Sequence, residues 1–66
     1  MEKVLEFSGG HLSIKVEAIE AVDIDPDDTK CVRIFLSFGP YNAHLDSEES
    51  AMSLFNSITE EMKKND

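Results

Sequence analysis

The apolar and polar positions change period several times along the chain, and each change marks an element. Over residues 3–7 they alternate, with Leu5 and Phe7 on one side and Val4 and Glu6 on the other. Residues 11–16 alternate again, Leu12, Ile14 and Val16 against Ser13 and Lys15. Between the two runs lies Ser8-Gly9-Gly10, and Gly-Gly accepts positive φ at both positions, so the pair predicts a β-hairpin. Val16, Ile19 and Val22 are then spaced by three, which breaks the period of two. That spacing predicts a helical turn or bend at residues 17–19, with a strand resuming over 20–25. In that strand Val22 and Ile24 face inward, and Ala21, Asp23 and Asp25 face outward. A continuous helix over 16–24 is the competing reading. Pro26 ends either one, because the residue before proline disfavours helical backbone.

Residues 25–29, Asp-Pro-Asp-Asp-Thr, are turn formers and predict a loop. Residues 31–38 form the most strand-like run, with Val32, Ile34, Leu36 and Phe38 toward the core and Cys31, Arg33, Phe35 and Ser37 on the opposite face. Gly39-Pro40 is expected to turn the chain, and residues 41–45 to make a short last strand. A helix follows over about 47–64, with Asp46 as N-cap, Glu49 completing a capping box, and Glu48 and Glu49 suiting the N-terminal dipole. Ala51, Leu54, Phe55, Ile58 and Met62 line up as one apolar stripe. Ser53, Asn56, Ser57, Glu60 and Lys64 form the wet face, with Glu60 and Lys64 expected to pair.

The arrangement that buries most of this apolar surface is a single α+β domain over 1–66. A bent antiparallel sheet of four to five strands, about residues 3–45, carries the C-terminal helix on one face. The expected core is Leu5, Phe7, Leu12, Ile14, Val16, Ile19, Val22, Ile24, Val32, Ile34, Leu36, Phe38, Leu45, Leu54, Phe55 and Ile58. The opposite sheet face would carry Glu6, Ser13, Lys15, Asp23, Asp25, Arg33, Phe35, Asn42 and His44. At 66 residues, such a core supplies about 3–5 kcal/mol, a margin that dimerisation would widen.

Composition narrows the function classes. Fourteen acidic against six basic side chains give a formal charge of −8, which repels phosphate backbones and argues against direct nucleic-acid binding. The same field attracts a basic surface, a basic peptide or a divalent cation. Cys31 is the single cysteine, so neither an intrachain disulfide nor a cysteine zinc site can be completed, and a reducing, cytoplasmic setting is expected. The N-terminal residues lack a signal peptide's apolar run, and no segment approaches the ~20 apolar residues that span a bilayer.

Candidate catalytic chemistry is sparse. Asp23-x-Asp25-x-Asp27 resembles the opening of a calcium loop, but Asp28 stands where glycine is needed and Ile34 where the closing glutamate belongs. His11 and His44 fit no metal-ligand spacing, and no nucleophile has a recognisable base. No glycine-rich phosphate loop is present. The chain therefore reads as a non-enzyme without metal or cofactor. Phe35 and Tyr41 fit the core least comfortably: either sheet curvature turns them inward or they form a secondary contact surface. Arg33 is expected to pair across strands with Asp23 or Asp25.

The remaining feature is the stretch 17–28, which holds Glu17, Glu20, Asp23, Asp25, Asp27 and Asp28 with no Lys or Arg among them. Alternate strand positions recur every ~6–7 Å, so these carboxylates, with Glu48 and Glu49 as neighbours, would make a rigid negative surface. In size, charge and charge grouping the chain resembles small phage-encoded inhibitors of nucleic-acid-binding machines, and anti-CRISPR proteins that mimic DNA are the nearest group. No motif is shared, so no residue role carries over. The resemblance implies an inhibitor, monomer or weak homodimer, whose acidic face fills the basic groove of a nucleic-acid-binding protein, a CRISPR effector among the candidates. The alternative is a small adaptor or oligomeric structural domain docking through a sheet edge or the Phe35/Tyr41 patch. Under the first reading, reversing Asp23 and Asp25 to Lys should weaken binding without unfolding the domain.

Overall fold

A computed structural model describes residues 4–7, 10 and 12–64. Five strands and one helix follow in order: β1 (Val4–Phe7), β2 (Leu12–Lys15), a 3-10 turn (Val16–Ala18), β3 (Ile19–Ile24), β4 (Cys31–Leu36), β5 (Gly39–His44) and α1 (Glu48–Lys64). The class is α+β, with antiparallel strands and the helix packed against sheet. Backbone pairing divides the strands into a β1–β2 hairpin and a three-stranded sheet in the order β3-β4-β5. The hairpin register, Phe7 opposite Leu12 and Leu5 opposite Ile14, puts both alternating apolar sets on one face. Its loop spans four positions, of which Gly10, at φ 88°, is described; Ser8, Gly9 and His11 lie outside the described residues.

The three-residue spacing of Val16, Ile19 and Val22 has two causes in series. The first step is the 3-10 turn, whose three residues per turn return Val16 and Ile19 to the same side. Both are buried, Val16 at 1% exposure. The second step is a β-bulge: Ile19 pairs with Leu36 and Ala21 with Phe35, so Glu20 is an extra residue in β3. The bulge resets the alternation, leaving Glu20 and Ala21 exposed and returning Val22 inward. A continuous helix over 16–24 is thereby excluded. The chain bends where the two sheets separate, and Val16 fills the corner.

β4 is the central strand, and its inward residues Val32, Ile34 and Leu36 are all buried. It ends two residues earlier than expected. Leu36 pairs with Gly39, so the turn is Ser37-Phe38, and Gly39-Pro40 opens β5 instead of turning the chain. Gly39 takes φ 132°, a conformation that side-chain-bearing residues rarely adopt. Pro40 is tolerated because β5 is an edge strand. The shift ejects Phe38 from the expected core: it is 80% exposed.

The opposite correction applies to Cys31. Its register opposite His44 puts it on the outer face of the sheet, yet it is 2% exposed. The loop over residues 25–30 closes on it, Cys31 N–H donating to the Asp28 carbonyl and Asp25 N–H to the Cys31 carbonyl. Ala43 and Ala51 also join the core. Val22, Ile24, Leu45 and Leu54 pack against that core while only partly buried.

The helix begins one residue later than its expected cap. Ser47, not Asp46, is the capping residue: its Oγ accepts from Ser50 N–H at 3.1 Å. Ala51 and Ile58 are fully buried, seven residues apart on the stripe that faces β3, β4 and the 3-10 turn. Lys64 pairs with Glu61 at 3.3 Å, one position short of the expected partner Glu60. Glu48 and Glu49 at one end and Lys63 and Lys64 at the other complement the helix dipole.

Candidate functional site

The six carboxylates of residues 17–28 lie on three successive elements and divide into two groups by what they touch. Asp23 and Arg33 are register partners on β3 and β4. The guanidinium meets the carboxylate with two parallel bonds, Nε donating to Oδ1 at 2.7 Å and Nη2 to Oδ2. This bidentate geometry holds the Asp23 carboxyl below the usual carboxylate range, the hydrogen bonds from Arg33 being the main cause and its positive charge a lesser one. The guanidinium also lies 5.8 Å from the ring centroid of Phe35, two residues along on the same face. Phe35 is thus a half-buried platform under the only arginine of the chain.

Asp25 and Asp28 are used by the loop itself. Each opens a turn with its backbone carbonyl, Asp28 N–H donating to the Asp25 carbonyl at 3.2 Å and Cys31 N–H to the Asp28 carbonyl at 2.9 Å. Each also accepts with its side chain two residues on, Asp25 Oδ1 from Asp27 N–H at 2.9 Å and Asp28 Oδ1 from Lys30 N–H at 3.1 Å. The loop is therefore two consecutive turns led by aspartate, with Pro26 pre-setting the first. Beneath it the Cys31 thiol is pushed up from its ordinary pKa, first by burial and then by the carboxylates of Asp25 and Asp28.

Glu17, Glu20 and Asp27 form the second group. Glu17 projects from the 3-10 turn, Glu20 from the bulge and Asp27 from the tip of the loop, and all three are exposed. No side-chain hydrogen bond or ion pair engages them among the described residues.

The expected continuation of this surface through Glu48 and Glu49 takes another form. Lys63, with Phe55, Thr59 and Met62, shares a surface cleft with Ala21 and Val22 of β3. The basic end of α1 therefore lies beside β3, and its first turn is ~22 Å away along the helix. Glu49 instead joins Glu60 and Glu61 around a separate cleft of about 730 Å³ whose apolar lining is Leu5 and Met52. The sequence signal for this second acidic group was the i, i+11 spacing of Glu49 and Glu60 on one helix face. Glu48 is exposed on the first turn.

Tyr41 faces inward, opposite Ile34, and its ring packs on Phe7 at 5.5 Å between centroids, tilted by 55°. It closes the gap between the hairpin and β5, while Phe35 lies on the other side of the sheet. The two aromatics do not form one patch. His44 is exposed at the end of β5, and His11 lies outside the described residues. Among the described residues no three His, Cys, Asp or Glu side chains converge to hold a metal ion. No helix among them is long and apolar enough to cross a membrane.

Compared with known protein families, curated proteins and solved structures, the chain matches none.

Proposed function

We propose that this domain is a non-enzymatic inhibitor that binds a basic, nucleic-acid-binding groove through the acidic face of residues 17–28. What carries the reading is the placement of Glu17, Glu20 and Asp27: three carboxylates within eleven residues, with no side-chain partner among the described residues and each on a constrained piece of backbone. A carboxylate held on a bulge or a hydrogen-bonded turn loses less side-chain and backbone freedom on binding than one on a flexible tail. A basic groove built to neutralise phosphates in series meets such a surface with charge complementarity, fast association and strong salt dependence. Asp23, Asp25 and Asp28 contribute by fixing the scaffold and adding to the field. The basic channel of a CRISPR effector is one groove of this kind.

The test is capture of partners from the native host at low and high salt, followed by titration of the recovered partner. The triple variant Glu17→Lys, Glu20→Lys, Asp27→Lys removes no side-chain bond among the described residues, so it should fold normally and bind at least roughly tenfold more weakly. Its salt slope should also flatten. Unchanged affinity in the folded triple variant would sink the proposal. Reversal of Asp23 and Asp25 is a poorer test than the sequence suggests, since it sets a lysine against Arg33 and unpicks the loop.

The alternative, an adaptor docking through a sheet edge, draws on β5, which lies at the edge of its sheet. Pro40 on that strand lacks a donor and blunts it.

A further inference from the structure

The largest apolar anomaly on the surface is Phe38. Among the described residues the exposed large hydrophobics are Val4, Met52 and Phe38, and at 80% exposure Phe38 stands well beyond the other two. Nothing in the Ser37-Phe38 turn requires an aromatic ring there; serine or asparagine would serve a two-residue turn as well. Phe38 stands at the lip of a cavity of about 360 Å³ between the β1–β2 hairpin and the β4–β5 turn. The cavity walls include Leu12, Ile14, Ala18, Leu36, Pro40 and Tyr41. An apolar void of about 150 Å³ already takes up benzene, so this one has room for a phenylalanine ring.

Charge favours the same place. The chain carries fourteen side-chain carboxylates, yet among the described residues none that lines this cavity is acidic, and the one charged side chain among them is Lys15. Two copies of a molecule at −8 repel each other over most approaches. Among the described residues this face adds no carboxylate of its own to that repulsion, and it carries their most exposed large apolar side chain. It also presents both halves of a contact, a projecting ring and a cavity to receive one. A two-fold contact uses the same patch on both partners, so a residue that fills the partner's pocket is met by the same residue in return.

We propose that this face binds a second copy of the chain, each Phe38 ring seated in the cavity of its partner copy. The acidic stretch takes no part in this contact, so the dimer and the basic-groove interaction stand or fall separately. Their salt dependence has opposite sign: screening removes repulsion between like-charged copies and so strengthens the dimer, while it weakens attraction to a basic partner.

Sedimentation equilibrium of the whole chain, across concentration and at 0.05 and 0.5 M salt as chosen conditions (about 14 and 4 Å of screening length), tests this. A concentration-dependent dimer is expected, tighter at high salt by roughly threefold or more. Phe38→Ser should raise its dissociation constant by roughly tenfold or more, with the fold unchanged by circular dichroism. Ser13→Glu, which brings a carboxylate to the cavity wall, should weaken the dimer at low salt and recover at high salt. A monomer at every concentration would overturn the proposal and assign the cavity to a different protein. A dimer that survives Phe38→Ser, or that weakens with salt, would overturn it as well.

Discussion

Residues 25–30 and Ser37-Phe38 reverse the chain at the two ends of the same strand, β4, and they are built in opposite ways. The first is longer than a hairpin needs, and its length is filled with hydrogen bonds: two aspartates each serve a turn with both backbone and side chain. The second is as short as a hairpin allows and leaves its aromatic ring almost wholly in water. In the loop, most of the chemistry that looks available for a partner is consumed by the fold. In the turn, side-chain chemistry that the fold does not use is left standing. An acidic composition is therefore a poor guide to which carboxylates are free, whereas an unengaged side chain on a fixed backbone is a good one.

The contrast depends on β4 holding both ends in place, and the largest effect comes from removing that common support. Ile34 is fully buried at the middle of the strand, between Val22 on β3 and Tyr41 on β5. Ile34→Ala should cost about 2–5 kcal/mol, comparable with the whole stability of a domain this small. Urea denaturation followed by circular dichroism should find the variant largely unfolded at 25 °C. A midpoint close to that of the parent chain would mean that the two turns do not share one scaffold.

Next in size is the loop itself. Asp25→Ala removes one side-chain acceptor and should cost about 1 kcal/mol, while Asp25→Asn, which keeps an acceptor oxygen, should cost less. Because the loop covers Cys31, its opening has a second readout. A destabilisation of that size multiplies the open population about fivefold, and the rate of thiol modification should rise in step. Asp27→Ala, at the loop tip, should change neither stability nor thiol reactivity measurably. Equal effects at Asp25 and Asp27 would erase the division between scaffold carboxylates and free ones.

Much of this was legible from residue patterns, and the losses have specific physical causes. The hairpin follows from Gly-Gly between two alternating runs, and the helix and the inward set of β4 as far as Leu36 follow from period, because burying one face leaves no other register open. Phe38 was misplaced because alternation cannot see where a strand stops; Gly39 at φ 132° shows that the glycine served the residue after the turn. Cys31 lies on the outer face, where alternation puts it, and its burial comes from a loop packing that no periodicity encodes. Of the acidic stretch, the sequence showed the charge and a cross-strand pair for Arg33 with Asp23 or Asp25, of which the fold selects Asp23. It could not show that Asp25 and Asp28 would each accept from a backbone N–H two residues on, since that depends on the loop closing over β4.

A smaller effect at Asp23 is read by pH. Its pKa is lowered in the folded state by Arg33, so it contributes stability that is present above the unfolded aspartate value, about 3.9. That stability is lost as pH falls through the lower, folded value. The melting temperature of the parent chain should therefore fall on acidification below about pH 4, and Asp23→Asn should remove part of that fall. The pair is substantially exposed, at 34% and 43% for the two side chains, so screening keeps the effect modest. An acid profile of Asp23→Asn identical to that of the parent chain would mean that Arg33 does not hold the Asp23 carboxylate in solution.

The smallest expected change in folding stability is at Phe38, and its smallness is the point. A ring that is 80% exposed has little burial to lose, so Phe38→Ser should alter the unfolding free energy by no more than about 0.5 kcal/mol. The measurement belongs at low micromolar concentration, where association contributes least, because a dimer adds its own binding free energy to apparent stability. At high concentration the same substitution should lower the apparent melting temperature, since the parent then gains from association and the variant does not. A loss of several kcal/mol at low concentration would instead mean that Phe38 supports its own copy's core, and the opposition between a self-satisfied loop and an outward-facing turn would fail at the residue on which it most depends.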